Sequence, residues 1–142
     1  MSKKLAWAWL DAFYDEGDID WIFFWQLIGA VSEEMEEDEH GCSVSFNKTL
    51  LQRKNDALRL AKYLVVDMGD FKVYDAFNKK NYSNGFIDFC DVIENLYTQN
   101  DFEHDITFNM TIALEKLEKG KPAPLESEVP PEIVDLFQPV SE

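Results

Sequence analysis

Residues 49–69 read TLLQRKNDALRLAKYLVVDMG, and this stretch sets the fold class. Leu50, Leu51, Ala57, Leu58, Ala61, Leu64, Val65 and Met68 recur at helical spacing, with Arg53, Lys54, Arg59 and Lys62 on the polar side. Gly69 suits the left-handed position that ends such a helix. Upstream, Leu5, Ala8, Trp9, Ala12 and Phe13 predict a helix over residues 3–14, closed by the turn Asp15-Glu16-Gly17-Asp18. Asp18 or Asp20 then caps a second helix. Its stripe is Trp21, Ile22, Trp25, Ile28 and Gly29, with Phe24, Leu27 and Val31 on a second face.

Residues 41–48 read as a loop in which Val44 and Phe46 alternate as a short extended piece. Downstream of Gly69, Phe71–Phe77 (FKVYDAF) is rich in strand formers, although Asp75 breaks strict alternation. Asn78–Gly85 is a turn-rich loop. Phe86, Phe89, Cys90, Ile93, Leu96 and Tyr97 form the stripe of a further helix. Asp101 caps a last helix reaching Lys119, with Phe102, Ile106, Met110, Ala113, Leu114 and Leu117 inward; Lys116, Lys119 and Lys121 suit its C-terminal dipole, and Gly120 ends it. Residues 121–142 hold all five prolines and form an extended tail with one helical turn at Glu132–Phe137. Leu125, Ile133, Val134, Leu136 and Phe137 dock that tail on the body. The expected fold is mainly α: a compact bundle of about five helices with a minor strand element. Residues 1–120 make one domain and 121–142 a Pro-containing tail.

The chain has 142 residues, with 28 Asp and Glu against 13 Lys and Arg, a net charge of −15. At 46% hydrophobic it is too apolar for a disordered acidic tail. Its charge repels phosphate, which argues against a nucleic-acid partner. The apolar stretch Leu5–Leu10 is too short for a signal and is interrupted by Asp11, and no run approaches a membrane span. A cytoplasmic protein is expected, with Cys42 and Cys90 as free thiols.

Charge is polarised along the chain. Residues 1–47 are net −9, residues 48–80 net +4 and residues 81–142 net −10. The densest cluster is Glu33-Glu34-Met35-Glu36-Glu37-Asp38-Glu39. If the second helix runs into it, these acids oppose the negative end of the dipole, at about 0.3–1 kcal/mol each when exposed at low salt. A sequence tolerating this either ends the helix near Ser32 or keeps the acids for a partner. Glu36 and His40 lie one helical turn apart, but two ligands are too few for a metal. Asp101, Glu103 and Asp105, around His104, suit a helix N-terminus, and Asp88, Asp91 and Glu94 suit a solvated helix face. Trp7, Trp9, Trp21, Phe23, Phe24 and Trp25 put six rings within nineteen residues. Trp21 and Phe23 lie about 200° apart on a helix, so both cannot face inward. A ring beside carboxylates is the usual make-up of a contact for a basic partner.

Catalytic signatures are missing. There is no Gly-rich phosphate loop, no Gly-x-Ser-x-Gly, and no Cys/His set of metal-site size. No catalytic residue, metal or cofactor is expected, and the protein is not read as an enzyme. In size, acidity, helical make-up and lack of catalytic motif, the chain resembles bacterial immunity proteins, which neutralise the toxin domains of contact-dependent and other polymorphic toxin systems. The resemblance implies a dedicated basic toxin domain, a nuclease being the best fit, bound by a protein that is monomeric when free. The contact residues expected from the sequence are Glu33, Glu34, Glu36, Glu37, Asp38 and Glu39, with Trp21 or Phe23 as apolar anchor. Two other readings stay open. One is a DNA mimic that inhibits DNA-binding proteins, which the net +4 middle segment weakens. The other is an adaptor subunit docking through its Pro-rich tail.

Overall fold

The computed structural model describes residues 2–35, 43–96 and 112–138. It is mainly helical, with a small antiparallel sheet. Helix α1 (Ser2–Gly17) leads to strand β1 (Ile22–Phe23), α2 (Phe24–Ser32) and a hairpin of β2 (Glu33–Met35) and β3 (Ser43–Ser45). Helix α3 (Leu50–Lys62) runs into a π-helical turn at Tyr63–Asp67. Strands β4 (Phe71–Asp75) and β5 (Lys80–Asn81), α4 (Phe86–Leu96) and β6 (Ala113–Lys116) follow. The chain then winds through a 3-10 turn (Glu126–Glu128), α5 (Pro131–Val134) and a second 3-10 turn (Asp135–Phe137).

Helix α3 forms where the sequence places it. Thr49 caps it in a reciprocal box: the Gln52 amide donates to Thr49 Oγ1 at 3.1 Å, and the Thr49 amide donates to Gln52 Oε1 at 2.7 Å. Past Lys62 the helix widens, Met68 N donating to Tyr63 O at 2.8 Å, and Gly69 takes the left-handed conformation at φ +68. Ala57, Leu60, Ala61, Tyr63 and Leu64 are buried, whereas Leu51 is exposed.

Helices α1 and α2 form, but turned from the expected faces. In α1 the buried residues are Ala6, Leu10, Phe13 and Tyr14, while Ala8 and Ala12 are exposed. In α2 the second face wins: Phe24, Leu27, Ala30 and Val31 are buried, Trp25 and Gly29 are exposed, and Ile28 is half-buried. The cause is upstream. Ile22 and Phe23 pair with Leu114 and Ala113 as a strand, so the helix starts at Phe24 and its phase shifts. Neither expected aspartate caps it. Asp20 accepts from the Trp21 amide ahead of β1, Asp18 serves Lys116, and Gln26 Oε1 accepts the Phe23 amide.

The sheet order is β1-β6-β4-β5, all antiparallel. The expected helix through Lys119 is overturned over its described part, since Ala113–Lys116 is the central strand; residues 101–111 lie outside the described residues. Ala-Leu-Glu-Lys prefers a helix locally, but two flanking strands satisfy its backbone on both edges. Leu114 is buried in register with Ile22 and Val73. Leu117, expected inward, is exposed, and Gly120 (φ +88) serves the turn after β6. In α4, Phe89 and Ile93 are buried and Phe86 and Cys90 half-buried. Val129, Ile133, Leu136 and Phe137 lie in the same core as Leu10, Phe24 and Leu60, while Leu125 is exposed. Among the described residues no helix is long and apolar enough to cross a membrane.

Candidate functional site

The acidic cluster falls partly in view. Glu33 and Glu34 are in β2, their backbones opposite Ser45 and Val44. Glu36, Glu37, Asp38 and Glu39 lie outside the described residues, as does His40. The helix therefore ends at Ser32, and the acids that follow begin an extended segment rather than a helix terminus. Trp21 and Phe23 are half-buried. The Trp21 indole N–H donates to Glu115 Oε2 at 2.9 Å, and its ring stacks on Tyr74 with centroids 5.8 Å apart. Glu115 in turn faces Lys72 at 3.6 Å. Phe23 shares a register row with Ala113 and Tyr74. The structure thus brings both aromatics to one sheet face, although Trp21 is already engaged there.

The larger change from the sequence reading concerns the lysines. Lys48, Lys54 and Lys116 are buried, although Lys54 reads as solvent-facing and Lys116 as a helix-end charge. Lys48 Nζ meets Asp56 at 2.8 Å and donates to Leu136 O at 2.6 Å. Lys54 Nζ meets Glu94 Oε2 at 2.9 Å. The Lys116 side chain is 0% exposed, and its three donors go to Asp18 Oδ1 (2.6 Å), Tyr14 O (3.0 Å) and Lys121 O (2.6 Å). An ammonium has three protons to place, so this one is fully satisfied. Arg59 pairs with Asp67 at 3.1 Å and Glu132 at 3.8 Å. The net +4 segment is thus met in space by acids of the C-terminal segment, through Lys54, Arg59 and Lys72.

Nearby groups respond to this arrangement. The Gly120 amide, then Lys116, holds the Asp18 carboxyl below its ordinary range. Asp70 accepts from the Tyr14 hydroxyl and from Lys121 Nζ, each at 2.5 Å. Burial, then that bond, pushes the Tyr14 phenol up. The hydrogen bond to Asp70 also raises Lys121. Cys90 is a free thiol, raised by burial and then by Asp91 and Glu94, so its nucleophilic thiolate is disfavoured. Cys42 lies outside the described residues.

A polar cleft of about 490 Å³ lies between the β4–β5 turn and α4, lined by Asp75, Lys80, Tyr82, Asp88, Asp91 and Asn95 among others. Sequence reasoning assigned Asp88 and Asp91 only to a wet helix face. Two of these carboxylates, Asp75 and Asp88, serve local structure. Asp75 accepts from Asn78 N (2.9 Å) and Nδ2 (2.7 Å), and Asp88 accepts from Asn84 N (2.9 Å). Burial, then Asp75 and Asp88, raises the Tyr82 phenol. The cleft is acidic, with three carboxylates against Lys80. Among the described residues no group of acidic, His or Cys side chains is placed to hold a metal ion. No protein-family model, curated protein or solved structure matches the chain.

Proposed function

We propose that this protein binds and neutralises a specific basic protein partner in the cytoplasm. The toxic nuclease domain of a bacterial toxin is the class that fits best, blocked by carboxylates laid into its active-site cleft. The observation that supports the reading is the inward placement of Lys48, Lys54 and Lys116. Three of the 13 basic residues are withdrawn from solvent against two buried aspartates among the described residues, Asp70 and Asp75, so the surface is one charge more acidic than the sequence count. Such a surface steers a cationic cleft toward it and speeds association. The acids from Glu33 to Glu39, with Trp21 or Phe23 as an apolar anchor, remain the proposed contact.

Capture from the native cell at low and high salt tests this, followed by reconstitution of the captured protein. One stoichiometric basic partner, inactivated on addition of the purified chain, is the expected result. A captured partner whose activity is untouched would sink the reading. Replacing Glu36, Glu37 and Asp38 together by Lys should weaken the complex and flatten its salt dependence; an unchanged affinity and salt slope removes the cluster from the contact.

A second reading, mimicry of DNA, gains from the same observation, because the cations of residues 48–80 that weakened it are in part buried or paired. It predicts a broad set of DNA-binding proteins, lost at high salt.

A further inference from the structure

Trp25 is a large ring that the fold leaves unused. It is 53% exposed on α2, and among the described residues its indole makes no hydrogen bond or ring contact. Trp21, by contrast, is held by Glu115 and Tyr74. The same face of α2 carries a second feature without a role in the fold. At 100° per residue, Trp25, Gly29 and Ser32 fall within about 60° of one another, opposite the buried Phe24, Leu27, Ala30 and Val31. Glycine inside a helix is destabilising relative to alanine. Gly29 has neither of the usual reasons for its place. It is not in the left-handed region, and a β-carbon on it would meet no neighbouring side chain within 4 Å. Side chains on a helix lean toward its N-terminus, so one at position 29 would lean toward Trp25, one turn earlier. Glycine leaves that side of the ring uncovered.

The sequence around this face is anionic. Residues 5–47 hold eleven Asp and Glu and no Lys or Arg. The last turn of α2 has no basic residue to oppose the negative end of its dipole, and Glu33 and Glu34 follow directly in β2. A second copy of the chain would bring like charge to the same face, so charge complementarity selects a cationic occupant. Of the two basic side chains, arginine matches an open indole better. Its planar guanidinium stacks on an aromatic face, where the lysine ammonium is a compact, strongly hydrated point charge.

Resting on the reading of a basic protein partner, we infer that the outer face of α2 seats an arginine of that partner. The guanidinium stacks on Trp25, the partner chain crosses the bare backbone at Gly29, and the C-terminal end of α2, where Glu33 and Glu34 follow, supplies the opposite charge. Trp25 thereby adds an anchor to the contact.

The test is an NMR titration of the indole N–H signals with blocked tetra-arginine and tetralysine peptides at equal ionic strength. It compares wild type, Trp25→Leu, Gly29→Gln and, as a control on an exposed residue of α4, Ile87→Gln. The largest shift should fall on the Trp25 indole, with tetra-arginine bound about fivefold more tightly than tetralysine. Trp25→Leu should remove that preference, and Ile87→Gln should leave it unchanged. Gly29→Gln is the decisive variant. A better helix former enters open space, so the thermal midpoint should rise by about 2 °C, yet tetra-arginine affinity should fall about fivefold. A merely structural role for Gly29 does not give that combination. Gly29→Gln binding like wild type overturns the site, as do equal affinities for the two peptides with shifts spread over all acidic segments. A wild-type dimer in sedimentation that Trp25→Leu dissociates assigns the face to a second copy and also overturns it. Trp25 and Gly29 are exposed, so both variants fold, and cooperative unfolding of each verifies that. The captured partner separates the two proposals. A partner that binds Trp25→Leu and Gly29→Gln as tightly as wild type overturns this site and leaves the basic-partner reading standing. Tetra-arginine localised at Trp25 with no basic partner captured overturns that reading and supports the site.

Discussion

Lys116 shows how one side chain joins distant parts of this chain. It lies on the inner face of the central strand, opposite Phe71, and its ammonium reaches the end of α1. Gly17 makes room: a β-carbon there would lie 3.1 Å from Lys116 and from Phe71. Lys116→Met keeps the volume but leaves Asp18 and two carbonyls without their donor. It should cost about 2 kcal/mol, read as a lower urea midpoint with unchanged slope. Asp18 contributes with a definite pH sign. Its folded value is lowered from 3.8, so its stabilisation is complete above that value and lost as pH falls through the lower folded value. Asp18→Asn should therefore be less stable than wild type at pH 7, and the gap should close on acidification below 3.8. Urea unfolding at both pH values measures it; a gap that persists in acid refutes an ionic role.

At the scale of the element, α3 and β6 are opposite cases. Helix α3 carries its own instructions: a capping box, a sustained apolar period and a glycine stop. Thr49→Ala removes one half of the box and should cost about 1 kcal/mol, visible as a drop of several degrees in thermal midpoint. Strand β6 has no such local instruction. Its four residues favour a helix and become strand because β1 and β4 flank them. Helices α1 and α2 fall between these cases. Their helical character was legible, but rings and aliphatic residues on several faces left the phase open; in α2 the strand pairing of Ile22 and Phe23 moves the helix start to Phe24.

For the whole molecule, the C-terminal segment is part of the core. Val129, Ile133, Leu136 and Phe137 are 7% exposed or less. Four such side chains are worth roughly 6–12 kcal/mol of burial, comparable with the whole stability of a small domain. Lys48, buried and bonded to Leu136 O, adds to the attachment. A chain stopped after Leu125 should lose cooperative unfolding and bind a hydrophobic dye; a sharp transition in that chain would show the segment dispensable. The sequence alone determined the acidic excess, the helices around residues 3–14, 50–62 and 86–96, the strand at 71–75 and the stop at Gly69, because each follows from composition or from contacts within a few residues. Of the candidate site it exposed the run from Glu33 to Glu39 and the aromatics Trp21 and Phe23. Tertiary structure alone decided which faces are buried, the strand at 113–116 and the inward lysines. Each depends on residues dozens of positions apart meeting in space, and local periodicity does not encode such pairings.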